Sequence, residues 1–173
     1  VSYKNEGFLF DCGEGIQRQF RIAEIKPTKI TKIILSHWHG DHVLGLPGLL
    51  QTLSASEYVG KLIVFGPKGT KKNIKKMMEA FKFDNKLDME VKEINKAVFF
   101  ETKDYKLEAF KLEHSVLTLG FSFIEKDKRR INVSYVKKLG LSEGPLMGEL
   151  QNNKTIIWNE KKIKAKEATY LEK

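Results

Sequence analysis

Apolar residues in the first half of the chain fall into short bursts that alternate in kind. Phe8-Leu9-Phe10 and Ile30-Thr31-Lys32-Ile33-Ile34-Leu35 are compact runs rich in β-branched and aromatic side chains, which predict strands over 8–11 and 30–36. Between them, Ile16, Phe20, Ile22 and Ile25 predict a helix over 16–25, and the run from Leu44 to Leu53 predicts another despite Gly45, Pro47 and Gly48 at its start. A strand over 61–65 ends at Gly66-Pro67. It precedes Ile74, Met77, Met78 and Phe81, whose three- and four-residue spacing predicts an amphipathic helix over 71–82. Strands then follow near 89–94, 97–101, 105–113 and 119–125. Alternating strands and helices followed by consecutive strands specify an α/β protein with a mixed sheet.

From about residue 126 the texture changes. A basic stretch leads into a short helix over 133–139, the turn Gly140-Leu141-Ser142-Glu143-Gly144-Pro145, a second short helix over 146–150 and a hairpin. The hairpin joins 155–158 to 162–165 through Asn159-Glu160. Residues 1–125 therefore read as a core domain, 126–165 as an inserted arm, and 166–173 as a return toward the core.

Composition narrows the class without changing that outline. The 173 residues, 41% hydrophobic and 31% charged, suit one globular domain, or one with an appendage, rather than a disordered chain. The longest apolar runs fall far short of the ~18 residues of a membrane span, so no membrane partner is expected. The N-terminus lacks the basic-then-apolar order of a signal peptide, and the single Cys12 offers no intrachain disulfide; a cytoplasmic protein is expected. The net charge of +9 lies entirely beyond residue 60, because residues 1–60 hold six groups of each sign. Lys71, Lys72, Lys75, Lys76 and Lys82 line the outside of the amphipathic helix and read as a solvated face. Lys126, Lys128, Arg129, Arg130, Lys137 and Lys138 have weaker apolar periodicity around them and precede Gly144-Pro145, a turn that stiffens a protruding element.

The chemistry is concentrated at the end of the second strand, in His37-x-His39-x-Asp41-His42. Four side chains of metal-ligand type lie within six residues, with Gly40 to permit a tight bend, so the segment has donors for more than one borderline metal ion. The chain has 4 histidines, and the fourth, His114, follows the strand over 105–113 at an equivalent strand end. Asp41 is suited to act as a ligand and as a base toward a metal-bound water.

His-x-His-x-Asp-His after a strand, with Asp11-Cys12-Gly13 upstream and a later strand-end His, resembles the metallo-β-lactamase superfamily. Within it, Asp11 to Gln19, Ser36 to Leu50, Gly66 to Thr70, His114-Ser115-Val116 and Gly140 to Gly148 are similar to the ribonuclease Z family, endonucleases that mature tRNA 3′ ends. The resemblance implies a four-layered αβ/βα sandwich, of which this chain is the first half plus an arm. It also implies two zinc ions per complete site, one held by His37, His39 and His114 and the other by Asp41 and His42, with Asp41 as the catalytic group. Precursor tRNA is then the substrate, and Lys128, Arg129, Arg130, Lys137, Lys138, Gly144 and Pro145 belong to its binding arm in a cytoplasmic homodimer. Asp11 is either an organiser of the site loop or a helix N-cap. The family places a further bridging Asp and further His residues downstream of the arm and glycine-containing strands upstream, so the chain is expected to be part of a longer enzyme. Trp38 occupies a position where the family carries a smaller apolar residue or Phe, at the expected rim of the site. Two rivals remain: another hydrolase or phosphodiesterase of the superfamily, and a non-catalytic RNA-binding fragment.

Overall fold

A computed structural model describes residues 1–82 and 86–172. Its strands are β1 (Ser2–Tyr3), β2 (Glu6–Phe10), β3 (Ile30–Ile34), β4 (Lys61–Gly66), β5 (Asp88–Glu93), β6 (Val98–Glu101), β7 (Tyr105–Leu112), β8 (Thr118–Glu125), β9 (Lys128–Ile131), β10 (Ile156–Trp158), β11 (Lys161–Ile163) and β12 (Thr169–Glu172). The helices are α1 (Ile16–Ile22), α2 (Gly40–Val43), α3 (Leu46–Ala55), α4 (Thr70–Glu79), α5 (Val133–Lys138), α6 (Pro145–Gln151) and α7 (Ala165–Ala168), with a 3-10 turn at Pro27–Lys29. The described residues separate into two compact units, one of 1–100 with 107–122 and one of 101–106 with 123–172.

In the first unit a five-stranded sheet runs in the order β1-β2-β3-β4-β5, antiparallel at its first pair and parallel at the rest. Ile33, Ile34 and Leu35 are fully buried in succession, as a parallel strand covered on both faces requires. Ile33, Leu35, Leu62 and Val64 meet Phe20 of α1, Leu46, Leu49, Leu50 and Leu53 of α3, and Ile74 of α4. On the opposite face Phe65 makes edge contacts with Phe99 and Phe100, and Phe121 lies beside Phe10 and Phe99. Lys32 is buried there too. Its ammonium is paired with Glu6 and lies 5.2 Å from the Phe8 ring and 4.8 Å from the Phe100 ring, so its charge is compensated. Strands β6, β7 and β8 form a separate three-stranded sheet in that order.

The second unit has its own small core. Val136, Leu141, Leu150, Ile156, Ile163, Ala165 and Ala168 are buried together, and the Trp158 indole N–H donates to the Leu139 carbonyl at 3.0 Å. The hairpin of β10 and β11 turns at Asn159 and Glu160, both at positive φ (48° and 62°), the geometry of a tight two-residue hairpin turn.

Several elements differ from the sequence reading. The helix over 16–25 stops at Ile22, because Glu24 turns left-handed (φ 55°) and Lys26, preceding Pro27, is extended. The helix over 71–82 ends at Glu79, leaving Phe81 about half exposed. At Gly40, where the sequence suggests a tight bend, the short helix α2 begins, and the helix read from Leu44 begins only at Leu46 as α3. The basic stretch at 128–131 is strand β9, paired antiparallel with β12, so residues 169–172 complete a ribbon within the second unit. Lys173 lies outside the described residues. Lys-Arg-Arg-Ile carries no apolar alternation, and only its partner makes it a strand.

Candidate metal centre

Strands β2, β3 and β4 run parallel and in register at Phe10, Ile34 and Phe65, so the segments leaving them emerge at one end of the sheet. Open parallel sheets bind ligands at that end. Asp11 follows β2, Ser36 to His42 follow β3, and Gly66 to Thr70 close β4. The first two segments are fastened by their backbones: Asp11 N–H donates to the Ile34 carbonyl (2.9 Å), Cys12 N–H to that of His42 (2.8 Å) and Gly45 N–H to that of Cys12 (2.9 Å). Space is short enough to demand glycine. A Cβ on Gly13 would strike the Asp41 carbonyl oxygen, and one on Gly45 the carbonyl of Gly13.

Asp11 itself is left-handed, with φ 56°, a conformation Asp tolerates better than most residues. Its Oδ1 accepts the Ser36 N–H at 2.7 Å, and its Oδ2 accepts the Ser36 hydroxyl at 2.8 Å and the His42 Nδ1–H at 2.7 Å. It is therefore an organiser of the loop. It does not cap α1, whose N-cap is Gly15 without a side-chain bond. A carboxylate only accepts, so the single Ser36 hydroxyl proton goes to Asp11, and Ser36 Oγ, 2.9 Å from His37 Nδ1, accepts from that nitrogen. One carboxylate thus assigns two tautomers from the hydrogen-bond network, leaving Nε2 of His37 and of His42 as bare lone pairs.

His37 Nε2 lies 3.1 Å from His39 Nδ1, and His114 Nε2 lies 3.2 Å from the same atom. One nitrogen of each imidazole falls within a cluster no wider than 4.8 Å. Ligands ~2.0–2.1 Å from a tetrahedral metal stand about 3.3 Å apart, close to the 3.1 and 3.2 Å that separate His39 Nδ1 from its two neighbours, so the three imidazoles could hold one ion. Converging lone pairs repel unless a cation lies among them. Burial, followed by the neighbouring imidazoles of His42, His39 and His114, pushes the His37 pKa down against the pull of Asp11, a shift in the direction of the neutral form that a metal ligand requires. The segment that follows His114 is tied to the histidine loop, Leu119 N–H at the start of β8 donating to the Ser36 carbonyl at 3.0 Å.

His42 and Asp41 stand beside this triad as a pair, with His42 Nε2 3.5 Å from Asp41 Oδ2. The Asp41 side chain is 79% exposed to solvent. Trp38, expected at the rim, packs its indole against the core and donates to Thr70 Oγ1 at 2.9 Å, pinning the histidine loop to the start of α4. Cys12 is fully buried, and burial aided by Asp11 pushes its thiol up to about 12. Ser36, which the sequence places only at a strand end and at the start of a family-like segment, acts here as the link between Asp11 and His37. Gln17 likewise proves structural: its side chain accepts from the Thr52 hydroxyl at 2.7 Å and lies over Gly48, locking α1 onto α3.

The basic residues of the arm are distributed unequally. Arg129 donates to the Thr169 hydroxyl at 2.9 Å, and Arg130 pairs with Glu172 at 2.6 Å. Lys128 is half-buried in β9, whereas Lys137 and Lys138 are exposed in the last turn of α5. Gly144 and Pro145 are exposed at the start of α6, with Pro145 in its first turn.

The chain belongs to the metallo-beta-lactamase superfamily, whose family model matches residues 1–120. The superfamily and the imidazole cluster together mark it as metal-binding. Among curated relatives it is 39% identical to the Ribonuclease Z of Nanoarchaeum equitans, covering 100% of this chain and 54% of that protein. It is 41% identical to the Ribonuclease Z of Pyrococcus horikoshii, covering 98% and 55%. The chain therefore spans about half the length of the curated relatives it matches. Among solved structures, the short form of human tRNase Z superposes with a TM-score of 0.67 at 32% identity, over 73% of this chain and 56% of that one. A diphosphatase of the PhnP family superposes at 0.59 with 20% identity, a likeness of fold alone, over 70% of this chain and 46% of that one. No helix among the described residues is long and apolar enough to cross a membrane.

Proposed function

We propose that the complete protein is a zinc-dependent endoribonuclease that removes the 3′ trailer from precursor tRNA and leaves a 3′-hydroxyl on the tRNA. The observation that supports this reading is the gathering of His37 Nε2 and His114 Nε2 about His39 Nδ1, at 3.1 and 3.2 Å, in a chain whose curated relatives are ribonucleases Z. These three atoms would hold one zinc, and His42 Nε2 with Asp41 a second. Zinc bound there supplies Lewis acidity toward the scissile phosphate and lowers the pKa of an attacking water.

The chain's own residues do the rest. Asp11 and Ser36 fix two imidazoles so that their Nε2 lone pairs face the reaction centre. The exposed Asp41 carboxylate accepts the proton of the attacking water at Oδ1 or Oδ2. Lys137, Lys138 and the Gly144-Pro145 turn contact the tRNA body. Lys128, Arg129 and Arg130 contribute positive charge from β9, the last two from positions already fastened to β12. The same reading makes the protein a cytoplasmic homodimer, as the resemblance to the ribonuclease Z family implies.

Incubating the full-length protein with precursor tRNA labelled in its trailer tests the reading. One cut at the tRNA 3′ end, lost on chelation and restored by zinc, is expected. A zinc-loaded protein that leaves the precursor intact overturns it.

A further inference from the structure

Helix α4 presents two contrasting faces. Ile74, Met77 and Met78 pack inward against the core, while Lys71, Lys72, Lys75 and Lys76 are exposed, with Lys68 exposed just ahead of the helix. Lysines on an outer face ordinarily need no explanation, but their placement here works against the helix. Lys71 and Lys72 occupy the first turn, where the helix end already carries partial positive charge, and that turn contains no acidic residue. Lys71 with Lys75, and Lys72 with Lys76, are like charges four residues apart, neighbours on the helix surface whose repulsion is destabilising.

The nearby acids relieve the helix start but not the paired lysines. Glu79 lies 3.9 Å from Lys75 across solvent, both side chains being largely exposed. The Glu93 Oε1 accepts the backbone N–H groups of Gly69 and Lys71 at 2.9 and 3.1 Å, so its charge is spent on the helix start and the four-apart lysine pairs keep their repulsion. The helix is also tied to the metal centre. It leaves the same end of the sheet as the histidine loop, and Trp38, between His37 and His39, is hydrogen-bonded to Thr70, the residue before Lys71.

We propose that the lysine face of α4, formed by Lys68, Lys71, Lys72, Lys75 and Lys76, is a contact surface for the phosphate backbone of the RNA cleaved at the histidine cluster. The proposal rests on the ribonuclease reading above. Charge complementarity selects the partner, since a polyanion relieves the four-apart repulsions that Glu93, engaged at the helix start, and the solvent-exposed Glu79 leave in place. The helical rise sets Lys71 and Lys75 about 6 Å apart along the axis, so the face follows a strand of successive phosphates and not a single anion. Lysine ammonium groups meeting phosphates contribute affinity and position without reading sequence.

The test compares the full-length protein with its K71Q/K72Q/K75Q/K76Q variant and with the matching four-arginine variant, in equilibrium binding to precursor tRNA across a salt series. The glutamine variant is expected to bind at least tenfold more weakly at about 0.1 M salt. Its plot of log affinity against log salt should be flatter by about 2–4 units, and the arginine variant should restore both. Its thermal midpoint should be unchanged or raised, because the repulsion within the helix is gone. Unchanged affinity and slope in the glutamine variant, with cleavage intact, overturn the lysine face and leave the ribonuclease reading standing. A wild-type protein without affinity for precursor tRNA overturns both.

Discussion

The Asp11 carboxylate stands 2.7 Å from His42 Nδ1, joining the end of β2 to a metal-ligand candidate that follows β3. The same oxygen takes the Ser36 hydroxyl, so a residue that need not touch metal sets the orientation of two imidazoles. Asp11→Asn keeps the shape but places an amide donor where only acceptors serve. Zinc affinity, measured by chelator competition, should fall about 10–100-fold while the far-UV spectrum stays native. Unaltered affinity would mean the carboxylate is not what orients His42.

If the proposed function holds, Asp41 should be separable from binding. Asp41→Ala should abolish cleavage of precursor tRNA, seen as loss of product in single-turnover gels, and leave RNA affinity within about threefold, since one exposed carboxylate adds little to polyanion binding. A variant that cuts at the wild-type rate would remove Asp41 from the chemistry.

The glycines beneath the site should be intolerant for steric reasons. Gly45→Ala drives a methyl group into the Gly13 carbonyl, which is backbone and cannot rotate away. A loss of about 1–3 kcal/mol in denaturant unfolding is expected, together with weaker zinc binding as the loop shifts. Gly15→Ala, where a Cβ has no neighbour within 4 Å but φ is 75°, should cost stability with far less effect on the metal.

Cys12 should be silent in the native protein. Its thiol is pushed up to about 12 by burial first and Asp11 second, so at pH 8 a chromogenic disulfide reagent should label it only after denaturation. The sign for stability follows. A pKa raised on folding leaves stability intact below the ordinary value near 9.0, and stability is lost as pH climbs from there toward 12, where the unfolded thiol ionises and the folded one does not. Rapid native labelling at pH 8 would contradict the burial.

The arm residues should divide into two groups. Lys137→Gln with Lys138→Gln, both exposed, should lower affinity for precursor tRNA and flatten its salt dependence by about one unit per lysine. Arg129→Ala removes a hydrogen bond between β9 and β12, and should lower the unfolding free energy by roughly 0.5–1.5 kcal/mol whatever it does to RNA. If the paired lysine variant binds with an unchanged salt slope, its side chains touch no phosphate.

The sequence by itself determined the α/β order of elements and the ligand-type residues. Periodicity and β-branching are local properties, and His37-x-His39-x-Asp41-His42 needs no partner to be recognised. It also exposed His114 as a strand-end histidine, though nothing local says that 75 residues of chain bring it to 3.2 Å from His39. Tertiary structure decided what depends on contacts between distant segments. The choice for Asp11 between cap and organiser turned on Ser36 and His42 lying opposite its carboxylate. The inward turn of Trp38 depended on Thr70, the strand at Lys128–Ile131 on its pairing with β12, and the division of the arm's charges on Thr169 and Glu172. Hydrogen bonds and ion pairs across many residues carry no periodic trace, so a charged run such as Lys128-Arg129-Arg130 reads the same in sequence whether its groups are free or engaged.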